Sequence, residues 1–437
     1  MPAIRIARAY LTLCLLGLLG SPLKAQPPLP TLRAHAPLVD IQDGDRLLKG
    51  AWHVDPRVPL DVYDVVRSAQ GKRVTFISDL ERLSFEVQPG GTYDFAILLD
   101  GKPCRTRLST RVQPYRRLGS EGAPVSIPIT MVQGKPHLQG RVNNSEPLDL
   151  ILDTGADTNV LYPSALAKGA QLTFDGSVNN QGTGGRTLRQ TSSDNRVGVA
   201  DLRWEHEPVL FVEKQADAAD GILGYTVFQD KVVELDFDQM RLLVHDRVPA
   251  HAQAFAKTAM PPAGTLLAMP VEVGIGGRRE AGPLVLDTGG SGTLTVNAAF
   301  ARIHGLPGDL KRLGSSVMSG VGNGVIRCEV LLLPELTLAG HTLRNVPLNV
   351  EHAVDGVEAA PGGALFMEVL GRFNLILDFP HEEAYLLPNR RFAEPFRVRT
   401  SGPPCYMVGL VFSLALVCLG GLAIFLRRGR APGTLRP

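Results

Sequence analysis

Short runs of alternating apolar and polar residues dominate the chain from Leu38 to about Arg116. They include Arg73–Ile77, Leu83–Val87 and Tyr93–Leu98, separated by turn signals at Pro89-Gly90-Gly91 and Asp100-Gly101. Period-two alternation bounded by Gly and Pro predicts strands, so 38–116 is expected to form a small β-rich domain. Before it, 26–37 is Pro-rich and reads as a linker.

Beyond this domain the pattern repeats itself. Leu150-Ile-Leu-Asp-Thr-Gly-Ala-Asp-Thr-Asn-Val160 is echoed by Leu284-Val-Leu-Asp-Thr-Gly-Gly-Ser-Gly-Thr-Leu294. Strand-like residues precede each copy, at Ile127–Met131 and Met269–Val273, and a Gly-rich turn follows each, at Gly182–Gly185 and Gly320–Gly324. Two apolar residues and a glycine come next, Ile222-Leu223-Gly224 and Val369-Leu370-Gly371. Both copies then end in the same way, at Leu235-Asp-Phe237 and Leu377-Asp-Phe379. This predicts two all-β lobes, 117–248 and 265–396, joined by an Ala/Pro-rich linker at 249–264.

One Asp-Thr-Gly after an apolar strand is explained by turn formation alone, since Asp accepts local N–H bonds and Gly supplies positive φ. Two at matched places suggest paired carboxylates. Two carboxyl groups about 3 Å apart cannot both ionise comfortably and hold one proton between them. Such a pair can take a proton from water while polarising a carbonyl.

On these residues the chain resembles the aspartic peptidases, and among them the retroviral-type (retropepsin) fold, over roughly Val125 to Pro388. The resemblance implies two acid-protease β-barrel lobes in pseudo-two-fold arrangement, active as a single chain on a peptide or protein substrate without a cofactor. It implies that Asp153 and Asp287 activate the water and that Thr154 and Thr288 interlock beneath them. Gly155 and Gly289 would leave room for water and substrate. Ile222, Leu223 and Gly224, with Val369, Leu370 and Gly371, would pack behind the aspartate loops. Gly182, Gly184 and Gly185, and Gly320, Gly322 and Gly324, fall where flaps are expected, although ordinary hairpins would account for them too. Asp157 either contacts substrate backbone on one side or caps a turn; its counterpart is Ser291. The Ser or Thr that follows Asp-Thr-Gly in pepsin-like enzymes is replaced by Ala156 and Gly290. Loss of that hydroxyl removes a bond to the ionised form and predicts a dyad working nearer neutral pH. A catalytically silent binding module of the cell envelope is the alternative.

Composition adds mostly exclusions. Lys and Arg total 45 against 43 Asp and Glu, a net charge of +2, so no basic face points to nucleic acid. Cys104, Cys328 and Cys405 form no metal-binding spacing; a bridge between Cys104 and Cys328 is open.

The two ends carry the compartment information. Arg5 and Arg8, an apolar run and a small residue at Ala25 predict a signal peptide over 1–25, or else a retained N-terminal anchor. Tyr406 to Leu426 carries no charge and is long enough to span a bilayer of about 30 Å at roughly 1.5 Å per residue. The basic tail 427–437 would stay in the cytoplasm, with 397–405 as a juxtamembrane segment. The expectation is a single-pass protein whose β-domains are extracytoplasmic, periplasmic or on the cell surface. Removal of the C-terminal helix by a sorting enzyme is the other reading. The 26–116 region could be an accessory domain or a pro-segment.

Overall fold

The computed structural model describes residues 28–398 except 45, 65–72, 89–90, 111–114, 118–122, 183–184, 215–217, 276, 321–323 and 353–361. The expected leader, membrane span and basic tail lie outside the described residues. Among those described, no helix is long and apolar enough to cross a membrane. The chain is mostly β.

The N-terminal region is a sandwich of two four-stranded sheets. One orders Thr31–Ala34, Thr92–Leu99, Lys102–Ser109 and Asp61–Asp64; the other orders Arg46–His53, Leu38–Asp43, Arg73–Ile77 and Arg82–Glu86. Alternation sends Val39, Ile41, Val74, Phe76, Phe95 and Ile97 inward, all fully buried. Phe76 packs on Phe95 with ring centroids 4.7 Å apart and meets Tyr63 edge-on at 5.8 Å.

The Pro-rich stretch is more than a linker. Thr31–Ala34 runs parallel to Thr92–Leu99, with Leu32 and Ala34 in the sandwich core. Its prolines cluster before Thr31, so composition averaged over 26–37 hides a four-residue alternation. The far boundary also shifts, because Tyr115–Arg117 pairs with Leu202–Trp204 and so joins the next sheet.

The two repeats fold with one strand order. In the first half it is Thr130–Val132, Lys135–Val142, Leu148–Asp153, Gly221–Gly224, Asn159–Leu161, Leu202–Phe211, Gly185–Val199, Gly176–Gly182. In the second it is Pro262–Ala263, Leu266–Ile275, Arg278–Leu286, Gly363–Leu365, Leu294–Val296, His341–Glu351, Ile326–Leu338, Lys311–Met318. In each, an early strand also pairs with a late one, Lys135–Val142 with Gly185–Val199 and Leu266–Ile275 with Ile326–Leu338, which closes the sheet on itself.

A third sheet joins the halves. Its order is Val125–Pro128, Arg241–His245, Val232–Asp236, Phe373–Asp378, Glu383–Pro388, Ala256–Ala259. The central pair, Val232–Asp236 against Phe373–Asp378, sets Val233 opposite Leu377 and Leu235 opposite Leu375. Leu235, Leu375 and Leu377 share one continuous core with both closed sheets.

The expected linker 249–264 is part of this architecture. It holds a short 3-10 helix at Ala250–Ala254, the edge strand Ala256–Ala259 and the hairpin strand Pro262–Ala263. An edge strand needs backbone partners on one side only, so Ala-rich sequence suffices. Cys104 and Cys328 are both buried free thiols, one in the sandwich and one in the second half, so the bridge considered between them is not formed.

Arg372 fastens the end of the second half. It is buried, and its guanidinium donates to the carbonyls of Glu368 at 2.9 Å, Arg391 at 3.0 Å and Phe392 at 3.2 Å, and also to that of Glu394. Its Cζ stands 3.7 Å from the centroid of Phe396. Arg372→Ala strands several carbonyls and is expected to cost about 2–4 kcal/mol in urea unfolding. Arg372→Lys should recover only part, because an ammonium cannot reproduce the fork. An unchanged midpoint in Arg372→Ala would show that the clamp is dispensable.

Candidate active site

The strand Leu148–Asp153 is apolar because both of its faces are covered. Leu150 and Leu152 enter the main core, while Ile151 joins a separate cluster on the opposite face. The strand Arg278–Leu286 leads into Asp287 in the same way, with Leu284 and Leu286 in the main core and Val285 on the other face. Each strand delivers its aspartate to the boundary between the halves.

Four reciprocal hydrogen bonds lock the two loops. The Thr154 N–H donates to the Thr288 hydroxyl at 3.0 Å, and the Thr288 N–H to the Thr154 hydroxyl at 3.1 Å. The Thr154 hydroxyl donates to the Leu286 carbonyl at 2.8 Å, and the Thr288 hydroxyl to the Leu152 carbonyl at 2.7 Å. Both threonines are buried. All eight donors and acceptors are satisfied across the boundary.

Above this lock each glycine makes room for the opposite aspartate. A Cβ on Gly155 would lie 2.7 Å from Asp287 Cγ, and one on Gly289 would collide with the Asp153 carboxyl. The carboxyls bond to each other, and the Gly155 N–H donates to Asp153 Oδ1 at 2.8 Å. Both side chains keep partial access to solvent while protein atoms crowd them.

That crowding sets the protonation. Burial lifts the Asp153 carboxyl; the Gly155 N–H, the Lys135 charge, the Gly289 N–H and the bond with Asp287 oppose it. Burial, and then the Asp153 charge, lifts Asp287 well above the usual carboxylate range, against the Gly290 and Gly289 N–H groups and Lys135. Two carboxyls this close favour holding one proton between them, and its titration belongs to the pair.

Three residues expected behind the second loop, Val369, Leu370 and Gly371, lie elsewhere. Ile222-Leu223-Gly224 does lie behind the first loop, with Leu223 beside Leu152 and Gly224 beside Asp153. Its counterpart, however, is Ala364-Leu365-Phe366, since Ala364 and Leu365 pair with Val285 and Leu286. Val369, Leu370 and Gly371 lie further on, in and after the helix Met367–Leu370, buried against the second core. The Met367 N–H donates to the Gly290 carbonyl just as the Tyr225 N–H does to the Ala156 carbonyl, which fixes the equivalence. Phe366 thus stands where the first half has Gly224, and its ring needs a partner without a side chain. A Cβ on Gly290 would come within 2.6 Å of Phe366 Cε1. Gly290 is a packing requirement of the phenyl ring.

Asp157 and Ser291 meet the opposite half through a turn. The Thr265 hydroxyl bonds to Asp157, and the equivalent turn residue, Gly134, would place a Cβ 3.4 Å from Ser291 Cβ. Asp157 is exposed to solvent at one side; the protein atoms around it lift its carboxyl, and the Thr265 bond opposes that lift. The Tyr225 hydroxyl donates to the Thr265 carbonyl at 2.6 Å, completing this side. Thr265, Tyr225, Phe366 and Lys135 carry no repeat signal, because each differs from its mate in the other half.

The Gly-rich turns end hairpins in both halves. Gly182 pairs with Gly185 at the end of the first. Gly320 and Gly324 are exposed at the end of the second, whose last pair is Met318 with Ile326. Gly184 and Gly322 lie outside the described residues. The histidines sit elsewhere: His206 bonds to Asp194, His304 to Glu280, and His341 packs on Phe373 and Phe392. Among the described residues no group of His, Cys, Asp and Glu is placed to hold a metal ion.

The lock predicts a measurable coupling. Thr154→Ala or Thr288→Ala alone should cost about 1–3 kcal/mol in denaturant unfolding, by leaving buried backbone groups without partners. The double variant should cost clearly less than the sum of the two. Strict additivity would mean that the threonines act independently.

Residues 138–227 match the model of a family described as aspartyl protease. No curated protein matches the chain. Among solved structures, that of the aspartic proteinase from Irpex lacteus is similar, with 13% sequence identity and a TM-score of 0.43, over 62% of this chain and 99% of that one. The segment carrying Asp153, Thr154, Gly155 and the Ile222–Gly224 strand is therefore similar to aspartyl proteases.

Proposed function

We propose that the chain is an aspartic endopeptidase that hydrolyses peptide bonds of extracytoplasmic proteins or peptides. The observation that carries this reading is the reciprocal lock between the two Asp-Thr-Gly loops, which sets Asp153 and Asp287 side by side with a glycine making room for each. The two halves then act as the lobes of a retropepsin-like acid protease within a single chain. The hairpins ending at Gly182–Gly185 and Gly320–Gly324 serve as flaps, and exposed Leu188, Val317 and Val325 on them offer apolar surface for a bound peptide. The uncharged 406–426 run anchors the enzyme in the membrane.

In this mechanism ionised Asp153 accepts a proton from water as the water attacks the scissile carbonyl. Protonated Asp287 donates its proton to the carbonyl oxygen, giving a neutral gem-diol, and proton return to the amine completes cleavage. Gly155 and Gly289 leave the space in which water and peptide meet the pair.

The test is cleavage of a peptide library by the full chain and by two variants. Asp153→Asn and Asp287→Asn should each lower kcat/KM by about a hundred- to ten-thousandfold. Retention of full activity by either variant, or no cleavage by the wild type between about pH 3 and 8, would sink the enzyme reading. A wild type that binds peptides without cutting them would favour the binding module instead.

Two pH effects follow. With no hydroxyl from residue 156 or 290, and with Asp287 lifted, the pH–rate profile should lie above one bounded by the pepsin values of about 1.5 and 4.7. Because folding raises these pKa values, the folded chain binds the shared proton more tightly than the unfolded one. The stability associated with it is present at low pH and is lost as pH rises through the lifted values. Asp287→Asn should therefore unfold at a higher temperature than wild type near pH 7 although inactive, and a lower melting temperature there would contradict this account.

A further inference from the structure

The two halves share a strand order, so residues at matched register positions can be compared across the site. Ile151 lies two residues before Asp153 on its strand, and Val285 two before Asp287. Period-two alternation puts each on the same face as its aspartate. These faces flank the carboxyl pair, one in each half, and their chemistry differs.

In the first half the cluster beside Asp153 is apolar, and one buried charged residue, Arg189, borders it across from Val178. Val160 pairs with both Ile222 and Leu210, and all three are buried with Ile151 and Val212 in one cluster. Val178, from the hairpin strand, packs onto that cluster.

Register identifies the mates. Thr295 pairs with both Ala364 and Asn349, so Thr295 stands for Val160 and Asn349 for Leu210. Two residues further along the same strands, Glu351 stands for Val212. Gly176 opposite Thr191 matches Gly314 opposite Val330, which makes Ser316 the mate of Val178. Four apolar positions have become Thr, Asn, Glu and Ser.

The four polar residues form one connected group, its two pairs joined where the Thr295 hydroxyl lies 3.3 Å from the Asn349 carbonyl. The Ser316 hydroxyl donates to Asn349 Oδ1 at 2.7 Å, and Asn349 Nδ2 donates to the Leu294 carbonyl at 3.1 Å. The Thr295 hydroxyl reaches Glu351 Oε1 at 3.3 Å. Ser316, Asn349 and Glu351 keep partial access to solvent. The hydroxyls donate to acceptors within the group and Asn349 to the Leu294 carbonyl, while Glu351 adds a carboxyl with partial access to solvent. Burial lifts that carboxyl, and the Thr295 bond opposes the lift. A cation arriving beside it would replace lost hydration and favour the ionised form.

We propose that the Thr295–Ser316–Asn349–Glu351 face is a specificity pocket for a basic substrate side chain, and that the matching face of the first half takes an apolar one. The inference rests on the peptidase reading and extends it to a substrate class: extended peptides with an apolar residue on one side of the scissile bond and Lys or Arg on the other. An active site with two chemically identical halves reads a peptide equally in both directions; this one binds it in one.

The test uses the full chain and peptides with Leu fixed on one side of the bond and Lys, Gln or Leu on the other, in both orders. Wild type should cleave the Lys peptides in one order at about tenfold or more the kcat/KM of the Leu peptides. Glu351→Gln, nearly isosteric, should remove the preference for Lys over Gln. Glu351→Val, which copies the first half, should shift preference to Leu. Equal cleavage of Lys and Leu peptides by wild type, or the same ranking in both variants, overturns the pocket and leaves the peptidase reading standing. Binding of reduced-amide analogues of the same peptides to Asp287→Asn is measured in parallel. If nothing is cleaved but the Lys analogue binds and Glu351→Gln weakens it, the pocket stands and the peptidase reading fails. If wild type cleaves no peptide and the Lys analogue does not bind, the pocket is overturned as well.

Discussion

Everything at the centre of this molecule depends on the exchange of hydrogen bonds between Thr154 and Thr288. Each hydroxyl both accepts from the opposite N–H and donates to the carbonyl that precedes the opposite aspartate. The exchange has no slack, because a buried backbone group left without a partner costs more than a typical hydrogen bond returns. Two chain segments far apart in sequence are therefore held in one geometry, and the aspartates above them inherit it. The proximity that makes two carboxyls share a proton is unfavourable on its own. Here the buried lock beneath and the joined sheet behind stabilise it.

Much of this was legible in the sequence because the chemistry is local and duplicated. The apolar strand, the Asp-Thr-Gly turn and the Leu-Asp-Phe strand each depend on near neighbours, and each occurs twice. The errors share a cause as well. Apolar-apolar-Gly is a weak signal, and Val369-Leu370-Gly371 satisfied it better than the true mate, Ala364-Leu365-Phe366. Phe366 is tolerated only because Gly290 yields the space, a compensation between positions distant in sequence. Thr31–Ala34 and Ala256–Ala259 resemble linkers in sequence because an edge strand needs partners for its backbone on one side and little from its side chains.

Departures from symmetry are more informative than the symmetry itself. Gly224 and Ala156 face Phe366 and Gly290; Asp157 with Thr265 faces Ser291 with Gly134. Lys135 acts on both carboxyls, and its mate in the register of the hairpins is Leu266. None of these exchanges disturbs the strand order, which is set by backbone pairing and the shared core. Side chains at the boundary were free to diverge once the frame was fixed. A protein with one frame and two sets of side chains can keep its chemistry while changing what it recognises.

The six-stranded sheet has a consequence in time. Its central pair needs both Val232–Asp236 and Phe373–Asp378, and the strand Glu383–Pro388 completes its second side. During synthesis the first half emerges with its aspartate unopposed and one edge of that sheet uncovered. The joined sheet is incomplete until the segments as far as Glu383–Pro388 are available to pair. The order of strands along the chain thus acts as a delay, tying the carboxyl pair to segments that come long after the first aspartate.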